Sequence, residues 1–259
     1  MAFVPIQQAI TNNHLNNLRV IATDMDGTLT QQGKFTANLL QALEDLSAAE
    51  IPVIIVTGRS AGWVSGLATY LPIAGAIAEN GGFFYFDEST QPVALTPIPN
   101  LVEHRQQLAN VYQHLKSEFP LIQESTDNRF RVTDWTFENH ELSLNQLQRL
   151  DMMCAALGWG FTYSSVQCHI KPLSQDKAVG LMQVLRDFFP HYQPQQVLTV
   201  GDSPNDASLF NPQCFPLSVG VANVLDYADQ LRYQPTYVTT SPEGEGFCEL
   251  AQYLISSVT

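Results

Sequence analysis

A chain of 259 residues with a formal net charge of −13 and only 12 lysine and arginine residues is a poor candidate for binding the phosphate backbone of a nucleic acid. No apolar run reaches the length of a membrane span, and residues 1–17 lack the apolar centre of a secretory signal, so we expect a cytoplasmic protein without a membrane partner. The four cysteines show no paired spacing, and we expect buried thiols without a disulfide framework.

The first part of the chain alternates apolar strands with helices. The segment 53–57 is apolar at every position except the last, and a strand with two apolar faces is typical of a buried parallel sheet. The predicted elements are strands at 20–23, 53–57 and 76–78, helices at 35–49 and 63–70, and a sharp turn at 79–82.

The middle of the chain has a different pattern, and the first pattern returns after Pro172. The middle predicts a hairpin at 83–86 and 93–95, helices at 101–119 and 144–157, and strands at 129–133, 160–163 and 166–170. The last part predicts a helix at 175–188 and strands at 197–200, 216–219 and 237–238. We therefore predict an α/β fold: a doubly wound parallel-sheet (Rossmann-like) core of residues 1–82 and 172–259, interrupted by an α/β domain at 83–171.

Two carboxylates, Asp24 and Asp26, end the first core strand and are followed at once by Gly27 and Thr28. Like charges this close repel unless a cation lies between them or one carboxylate takes up a proton. An acidic turn after an edge strand is the alternative interpretation. The polar residues that follow the other core strands favour a functional site.

Ligands of open parallel sheets bind at the carboxyl ends of the strands, so residues just past each strand should share one rim. The second strand leads to Thr57, Gly58 and Arg59, and the strand at 197–200 leads to a loop at 201–206. The oxygen-bearing side chains expected at this rim are Asp24, Asp26, Asp202, Asn205 and Asp206. An all-oxygen set without histidine or cysteine fits Mg²⁺ and disfavours zinc.

A carboxylate beside a bound Mg²⁺ can attack phosphorus and form an aspartyl phosphate. The segments that carry this chemistry resemble the motifs of the haloacid dehalogenase superfamily. They are Asp24-Met25-Asp26-Gly27-Thr28, Thr57-Gly58-Arg59, a lysine opening a later helix, and Gly201-Asp202-Ser203-Pro204-Asn205-Asp206. The inserted α/β domain resembles the large cap of the Cof-like and sucrose-phosphatase-like branch, subfamily IIB. The resemblance covers nearly the whole chain.

The resemblance implies a role for each matching residue. Asp24 is the expected nucleophile, and Asp26 is the expected general acid, then base. Asp24, Asp202 and the backbone carbonyl of Asp26 are expected to hold Mg²⁺, with support from Asp206. Further predictions are Asn205 at the metal, and Thr57, Gly58, Arg59 and Asn80 at the substrate.

The active-site lysine has two candidates. Lys177 opens the helix at 175–188 and matches the family position, although the motif stands here as Asp176-Lys177-Ala178 and departs from the family's Ser-Lys-Gly. Lys171 lies on the strand that leaves the inserted domain. We favour Lys177, whose ammonium would offset the charge of the nucleophile and of the phosphate.

The resemblance implies a Mg²⁺-dependent phosphatase that acts on a small phosphorylated metabolite, with a sugar or glycosyl phosphate as the expected substrate and a monomer or small homo-oligomer as the expected assembly. A sugar phosphomutase of the same superfamily and a non-catalytic phosphosugar sensor stay open. A serine esterase is a distant alternative, because Gly58-Arg59-Ser60-Ala61-Gly62 satisfies the G-x-S-x-G pattern between a strand and a helix.

Substrate specificity should come from the inserted domain. Arg129 and Arg131 occupy alternate positions of the strand predicted at 129–133, so they would share one face of it. If that face looks toward Asp24, the arginines would bind hydroxyls or a carboxylate of the leaving group. The alternative is that they pair with acidic side chains within the inserted domain.

Overall fold

The computed structural model describes residues 3–12, 14–15, 17–86, 91–139 and 142–258, which form two sheets and the helices around them. The strands are β1 Val4–Pro5, β2 Val20–Thr23, β3 Val53–Val56, β4 Gly75–Ala78, β5 Phe83–Tyr85, β6 Val93–Ala94, β7 Trp135–Glu138, β8 Gly160–Tyr163, β9 Gln167–Lys171, β10 Val197–Gly201, β11 Leu217–Gly220 and β12 Tyr237–Val238. The α-helices are α1 Ile6–Thr11, α2 Ala37–Ala48, α3 Ala61–Tyr70, α4 Leu101–Glu118, α5 Leu144–Ala156, α6 Lys177–Phe188 and α7 Glu243–Val258.

The large sheet has nine strands in the order β1-β12-β11-β10-β2-β3-β4-β5-β6. All pairs from β1 to β4 are parallel, and β5 and β6 are added antiparallel. Alternate residues of β2 face opposite sides: Ile21 packs in an apolar cluster with α2, α3 and α7, whereas Val20 and Ala22 pack in a second cluster with α6. Helices therefore cover both faces, and the predicted doubly wound parallel sheet is confirmed.

The small sheet is antiparallel, in the order β7-β9-β8. Apolar residues of α4 and α5, such as Leu108 and Leu150, form a separate core with Phe137 and Ile170 of this sheet. We use the word cap for the unit from α4 to β9, residues 101–171. It has its own core and packs on the carboxyl-terminal edge of the large sheet.

The β5–β6 hairpin corrects the predicted start of the inserted domain. The sequence places it in the inserted domain, but Ala76 and Ala78 of β4 pair with Tyr85 and Phe83 of β5, so the hairpin extends the large sheet. Phe84 is buried against α6 in the second core cluster. The aromatic side chains thus find their apolar partners in the core, and the link at 87–90 lies outside the described residues.

The strand predicted at 129–133 is wrong. Residues Asn128–Phe130 form a 3₁₀ turn, and the third strand of the cap sheet is β7, Trp135–Glu138. The backbone N–H groups of Val132 and Thr133 donate to the carboxylate of Glu79, and they are unavailable for a strand ladder. Arg129 and Arg131 therefore do not share a strand face.

The sequence-based elements also omit the two ends of the chain. The short β1 pairs with β12, and α7 packs on α2 across one face of the sheet. Phe247, Leu250, Ala251 and Leu254 of α7 are buried at helical spacing. None of the helices in the described part of the chain is long and apolar enough to cross a membrane.

Candidate active site

Three carboxylates from two strand ends converge at the rim of the large sheet. Asp24 follows β2, and Asp202 and Asp206 follow the neighbouring strand β10. One oxygen from each side chain lies within 4.8 Å of the others, and all three residues are buried. The shared rim expected from the parallel strands therefore brings these three acids together.

The backbone of both acidic loops is shaped by glycine. Gly27 has φ +80, and a Cβ there would lie 2.6 Å from Asp202 Oδ2. A Cβ on Gly201 would lie 2.5 Å from the carboxyl carbon of Asp206. Larger residues would strain the first loop and displace both carboxylates, so the glycines set how closely the two loops approach.

Lys177 is the cation of the cluster. Its Nζ donates to Asp24 Oδ1 at 2.5 Å and to Asp206 Oδ1 at 2.7 Å, and its side chain is fully buried at the start of α6. Burial alone would lower the pKa of Lys177, but Asp206 and Asp24 outweigh it and hold that pKa above its ordinary value. Lys171 instead donates to the backbone carbonyl of Gln175, so the contacts favour Lys177 as the active-site lysine.

The three acids carry more negative charge than the lysine offsets. Burial, and then the neighbouring Asp206, raise the pKa of Asp24 to about 7, and burial followed by Asp24 raises the pKa of Asp202 well above its ordinary value. With all three carboxylates ionised, the cluster and the lysine ammonium would have a formal charge of −2. A divalent cation would neutralise that charge, and an all-carboxylate donor set fits Mg²⁺.

Asp26 does not join this cluster through its side chain. Arg59 holds it with two parallel hydrogen bonds, Nε to Oδ2 at 2.8 Å and Nη2 to Oδ1 at 2.6 Å. The guanidinium also lies 5.5 Å from the ring centre of Trp63. Proton transfer by Asp26 therefore requires this pair to open, and the backbone carbonyl of Asp26 stays a predicted metal ligand.

The other predicted rim residues lie around the same centre. Thr57 is buried, and its Oγ1 accepts from the backbone N–H of Arg59 at 3.1 Å. Asn205 Nδ2 donates to Asn80 Oδ1 at 3.4 Å, while the Nδ2 of Asn80 is buried without a hydrogen-bond partner in the described part of the chain. An amide donor that is buried and free is a candidate ligand-binding group.

Asn223 is a site residue that the sequence reasoning missed. Its Nδ2 donates to Asp202 Oδ2 and to the carbonyl of Gly27, both at 3.0 Å, and its Oδ1 accepts from the N–H of Glu243. Asn223 follows β11, the next strand along the rim. The rule that located Asp24 and Asp202 would have found it.

The cap closes directly over the acids. A cavity of only about 10 Å³ separates Asp24 and Asp26 from cap residues on and beside β9, among them Gln167 and His169. On another side, a cleft of about 450 Å³ opens between cap and core, and Lys177 lies in its wall. The described conformation is thus closed over Asp24 and open beside it.

Arg131 does not face this cavity as a free group. Its buried guanidinium donates to Asp134 at 3.0 Å, to Asp127 at 2.9 Å and to the carbonyl of Gly58 at 2.9 Å. Arg129 is exposed, with its guanidinium 4.7 Å from the ring centre of Phe130. Arg131 therefore pairs with acidic side chains of the cap, as the alternative interpretation expected. The prediction that Arg129 and Arg131 form one substrate-binding face has no geometric support.

Ser60 gives no support to the esterase alternative. Its Oγ is buried and has no hydrogen-bond partner within the described ranges. A serine nucleophile needs a base in hydrogen-bond contact or within easy reach. The carboxylate cluster, in contrast, brings together the oxygen ligands that a divalent cation prefers.

Comparison with known families agrees with this geometry. Residues 21–147 match the model of the haloacid dehalogenase-like hydrolase family. The phosphoglycolate phosphatase of Methanothrix thermoacetophila is 25% identical over 240 residues, which cover 92% of this chain and 97% of that protein. This match and the phosphatase-named relatives support a phosphatase of the haloacid dehalogenase-like type.

Solved structures share the whole architecture. The crystal structure of a Thermoplasma acidophilum protein has a TM-score of 0.74 at 18% identity, covering 93% of this chain and 99% of the other. The sucrose-phosphatase of Synechocystis, solved with sucrose and phosphate, has a TM-score of 0.65 at 18% identity, covering 91% and 97%. The fold of this chain, with its α/β cap, is therefore that of these solved structures.

Proposed function

We propose that this phosphatase uses Mg²⁺ to hydrolyse a small phosphomonoester with a hydroxyl-rich leaving group, such as a sugar or glycosyl phosphate, through an aspartyl phosphate on Asp24. The observation that carries the proposal is the buried cluster of Asp24, Asp202 and Asp206 with Lys177. Mg²⁺ held by the cluster would screen the charge between carboxylate and phosphate and stabilise the transferring group.

The residues of the chain divide the chemistry between them. Lys177 donates to Oδ1 of Asp24, so Oδ2 is the oxygen that remains to attack phosphorus. The bond between Oδ2 and phosphorus forms as the bond between phosphorus and the leaving oxygen breaks. Asp26, once free of Arg59, gives its proton to that leaving oxygen. It then takes a proton from the water that cleaves the aspartyl phosphate. Thr57 and Lys177 bind the phosphate oxygens.

The size and lining of the side cleft support a sugar-sized leaving group. Its volume of about 450 Å³ lies in the range of small-molecule sites, and it begins at Lys177 and Asn205. Thr162, Tyr163 and Gln230 line it, and Tyr163 Oη donates to Gln230 Oε1 at 3.0 Å, joining cap and core. These neutral polar groups can bind hydroxyls, beside charged residues of the same lining such as Asp151 and Arg232.

A phosphate-release screen over phosphorylated metabolites tests the proposal. We expect turnover of a sugar phosphate that stops with a chelator and returns with Mg²⁺. Asp24→Asn should abolish it without unfolding the protein, while the exposed Asp187→Asn serves as the matched control. Substantial turnover in Asp24→Asn would mean that water attacks phosphorus directly. Chelator-resistant ester hydrolysis that is lost in Ser60→Ala would favour the esterase.

Phosphoglycolate is the second candidate substrate, because the relative from Methanothrix and others of similar coverage bear that name. The same screen ranks it against sugar phosphates. Activation by a sugar bisphosphate with little phosphate release would identify a mutase, and binding without turnover would identify a sensor. A cytoplasmic location and a monomer or small homo-oligomer stay predictions.

A further inference from the structure

The residue at the centre of the inference is His169 of the cap strand β9. Its side chain is 2% exposed, and it lines the small cavity that also touches Asp24, Asp26 and Thr57. The ring edge lies over Gly58, where an added Cβ would be 3.1 Å from His169 Nε2. Because glycine has no side chain, the imidazole of His169 can lie against the backbone of Gly58 at the cavity.

The other ring nitrogen is fixed by a buried charge pair. His169 Nδ1 lies 2.8 Å from Asp134 Oδ2, and Arg131 Nη1 binds both oxygens of Asp134 at 3.0 Å. Burial would raise the pKa of Asp134, but Arg131 and the bond to His169 outweigh it and hold that pKa below its usual value. Asp134 is therefore an ionised acceptor, and Nδ1 must carry the proton.

The orientation leaves Nε2 as an acceptor. Burial, partly opposed by Asp134, lowers the pKa of His169, so the ring is neutral near pH 7. Within the described residues, Nε2 has no hydrogen-bond partner. The free Nδ2 donor of Asn80 lies 3.2 Å from the same Gly58 Cβ position. An unpaired acceptor and an unpaired donor thus both lie close to Gly58, which lines the cavity at Asp24.

We propose that His169 is a specificity-determining residue that binds a hydroxyl group of the leaving alcohol. This hydroxyl donates a hydrogen bond to Nε2 of His169, and its oxygen accepts a hydrogen bond from Nδ2 of Asn80. A hydroxyl is donor and acceptor at once and satisfies both groups. A carboxylate has only acceptors, and it would face the lone pair of Nε2 unfavourably. The inference rests on the proposed phosphatase activity and specifies the substrate: a phosphate ester with a hydroxyl close to the ester carbon.

Three short phosphate esters of matched size provide the test: 2-hydroxyethyl phosphate, ethyl phosphate and phosphoglycolate. We expect the wild type to favour the hydroxyl ester over ethyl phosphate by about tenfold in kcat/KM, the worth of one buried hydrogen bond. In His169→Phe, which keeps an aromatic ring but no acceptor, this ratio should fall toward one. His104→Phe is the matched control, because His104 binds the carbonyl of Thr133 away from the cavity.

Asp134→Asn gives a second test, in which the substrate preference is expected to change toward the carboxylate ester. The amide of this variant can accept from Arg131 through its oxygen and donate to Nδ1 of His169 through its nitrogen, which moves the ring proton to Nε2. Preference should then shift from the hydroxyl ester toward phosphoglycolate. If Asp134→Asn prevents folding, the result for His169→Phe still decides whether His169 sets the preference for the hydroxyl ester.

The outcomes separate the inference from the function on which it rests. The role of His169 is refuted if the wild type hydrolyses the hydroxyl ester and ethyl phosphate with equal kcat/KM. It is also refuted if the His169→Phe variant keeps the wild-type ratio of the two kcat/KM values. A wild type with no phosphate release from these esters, from sugar phosphates or from p-nitrophenyl phosphate refutes the phosphatase proposal itself.

Discussion

Asn223 offers a sharp test of the proposed metal site, because its side chain binds Asp202, one of the proposed ligands. In Asn223→Ala, Asp202 Oδ2 loses the amide that holds it at 3.0 Å, and the Gly27 carbonyl loses the same donor. Asp202 keeps its bond from Thr28 Oγ1 at 2.8 Å. The carboxylate should therefore remain in place but be oriented less firmly.

The magnitude follows from the type of contact removed. A hydrogen bond from a neutral group to a charged one contributes about 1.5–3 kcal/mol, and loss of a residue that orients a metal ligand costs about 10- to 100-fold in metal affinity. We expect the Mg²⁺ concentration for half-maximal activity to rise by about 10- to 100-fold in Asn223→Ala. The kcat at saturating Mg²⁺ should stay within a few-fold of wild type.

The assay is a Mg²⁺ titration of initial rates after the protein has been stripped with a chelator. Asn211→Ala is the matched control, because Asn211 also caps a loop, with contacts to Cys214 and Gln213 away from the acids. Thermal unfolding without Mg²⁺ measures the separate loss of the bond to the N–H of Glu243. An unchanged half-saturation with a reduced kcat would contradict the assignment of Asp202 to the metal.

Three further substitutions test other parts of the molecule. Lys177→Met should reduce kcat by about a thousandfold or more, whereas Lys171→Met should keep activity within about tenfold, because, of these two lysines, Lys177 alone contacts Asp24, the proposed nucleophile. The opposite ranking in steady-state kinetics would identify Lys171 as the active-site lysine. Arg131→Met removes one partner of a buried ion pair and should lower the free energy of unfolding by about 3–5 kcal/mol in urea melts. The exposed Arg149→Met should change it by less than about 1 kcal/mol, and equal losses would mean that burial does not distinguish the two arginines. Gly27→Ala should impair both Mg²⁺ binding and stability, since its φ is +80 and its Cβ would press on a metal-site carboxylate; wild-type values for both would show that the loop relaxes freely.

The convergence of the acids at one rim could be predicted from the sequence, because it depends on local pattern. Asp24 and Asp202 stand directly after apolar runs, and parallel strands bring their carboxyl ends to one edge whatever the rest of the chain does. The same rule places Asn223, which the reasoning overlooked. Such residues need no knowledge of distant contacts.

The parts that the sequence does not predict depend on partners far along the chain. Val132 and Thr133 have β-branched side chains typical of a strand, but a carboxylate 53 and 54 residues away takes their N–H groups. The pairing of Asp134 with His169 spans 35 residues and carries no local signature. Tertiary hydrogen bonds override local propensity in the first case and have no local signal in the second.

The C-terminal helix α7 is a different kind of omission. Its buried residues recur at helical spacing from Phe247 onward, so the pattern was present. Gly244 and Gly246 in its first turn lower the helix propensity, yet a Cβ on Gly244 would lie 2.6 Å from the carbonyl of Leu29. Close packing against the loop after β2 explains why glycine stands there.

Glu79 limits how freely caps can be exchanged between proteins of this architecture. Its buried carboxylate accepts from the N–H of Ala61 in the core, at 2.8 Å, and from the N–H groups of Val132 and Thr133 in the cap, at 3.0 and 2.6 Å. A transplanted cap without two amides at that position would leave a buried charge partly unpaired, which costs several kcal/mol. Glu79 and the turn that contains Val132 and Thr133 therefore depend on each other. In a chimeric protein, both should come from the same parent.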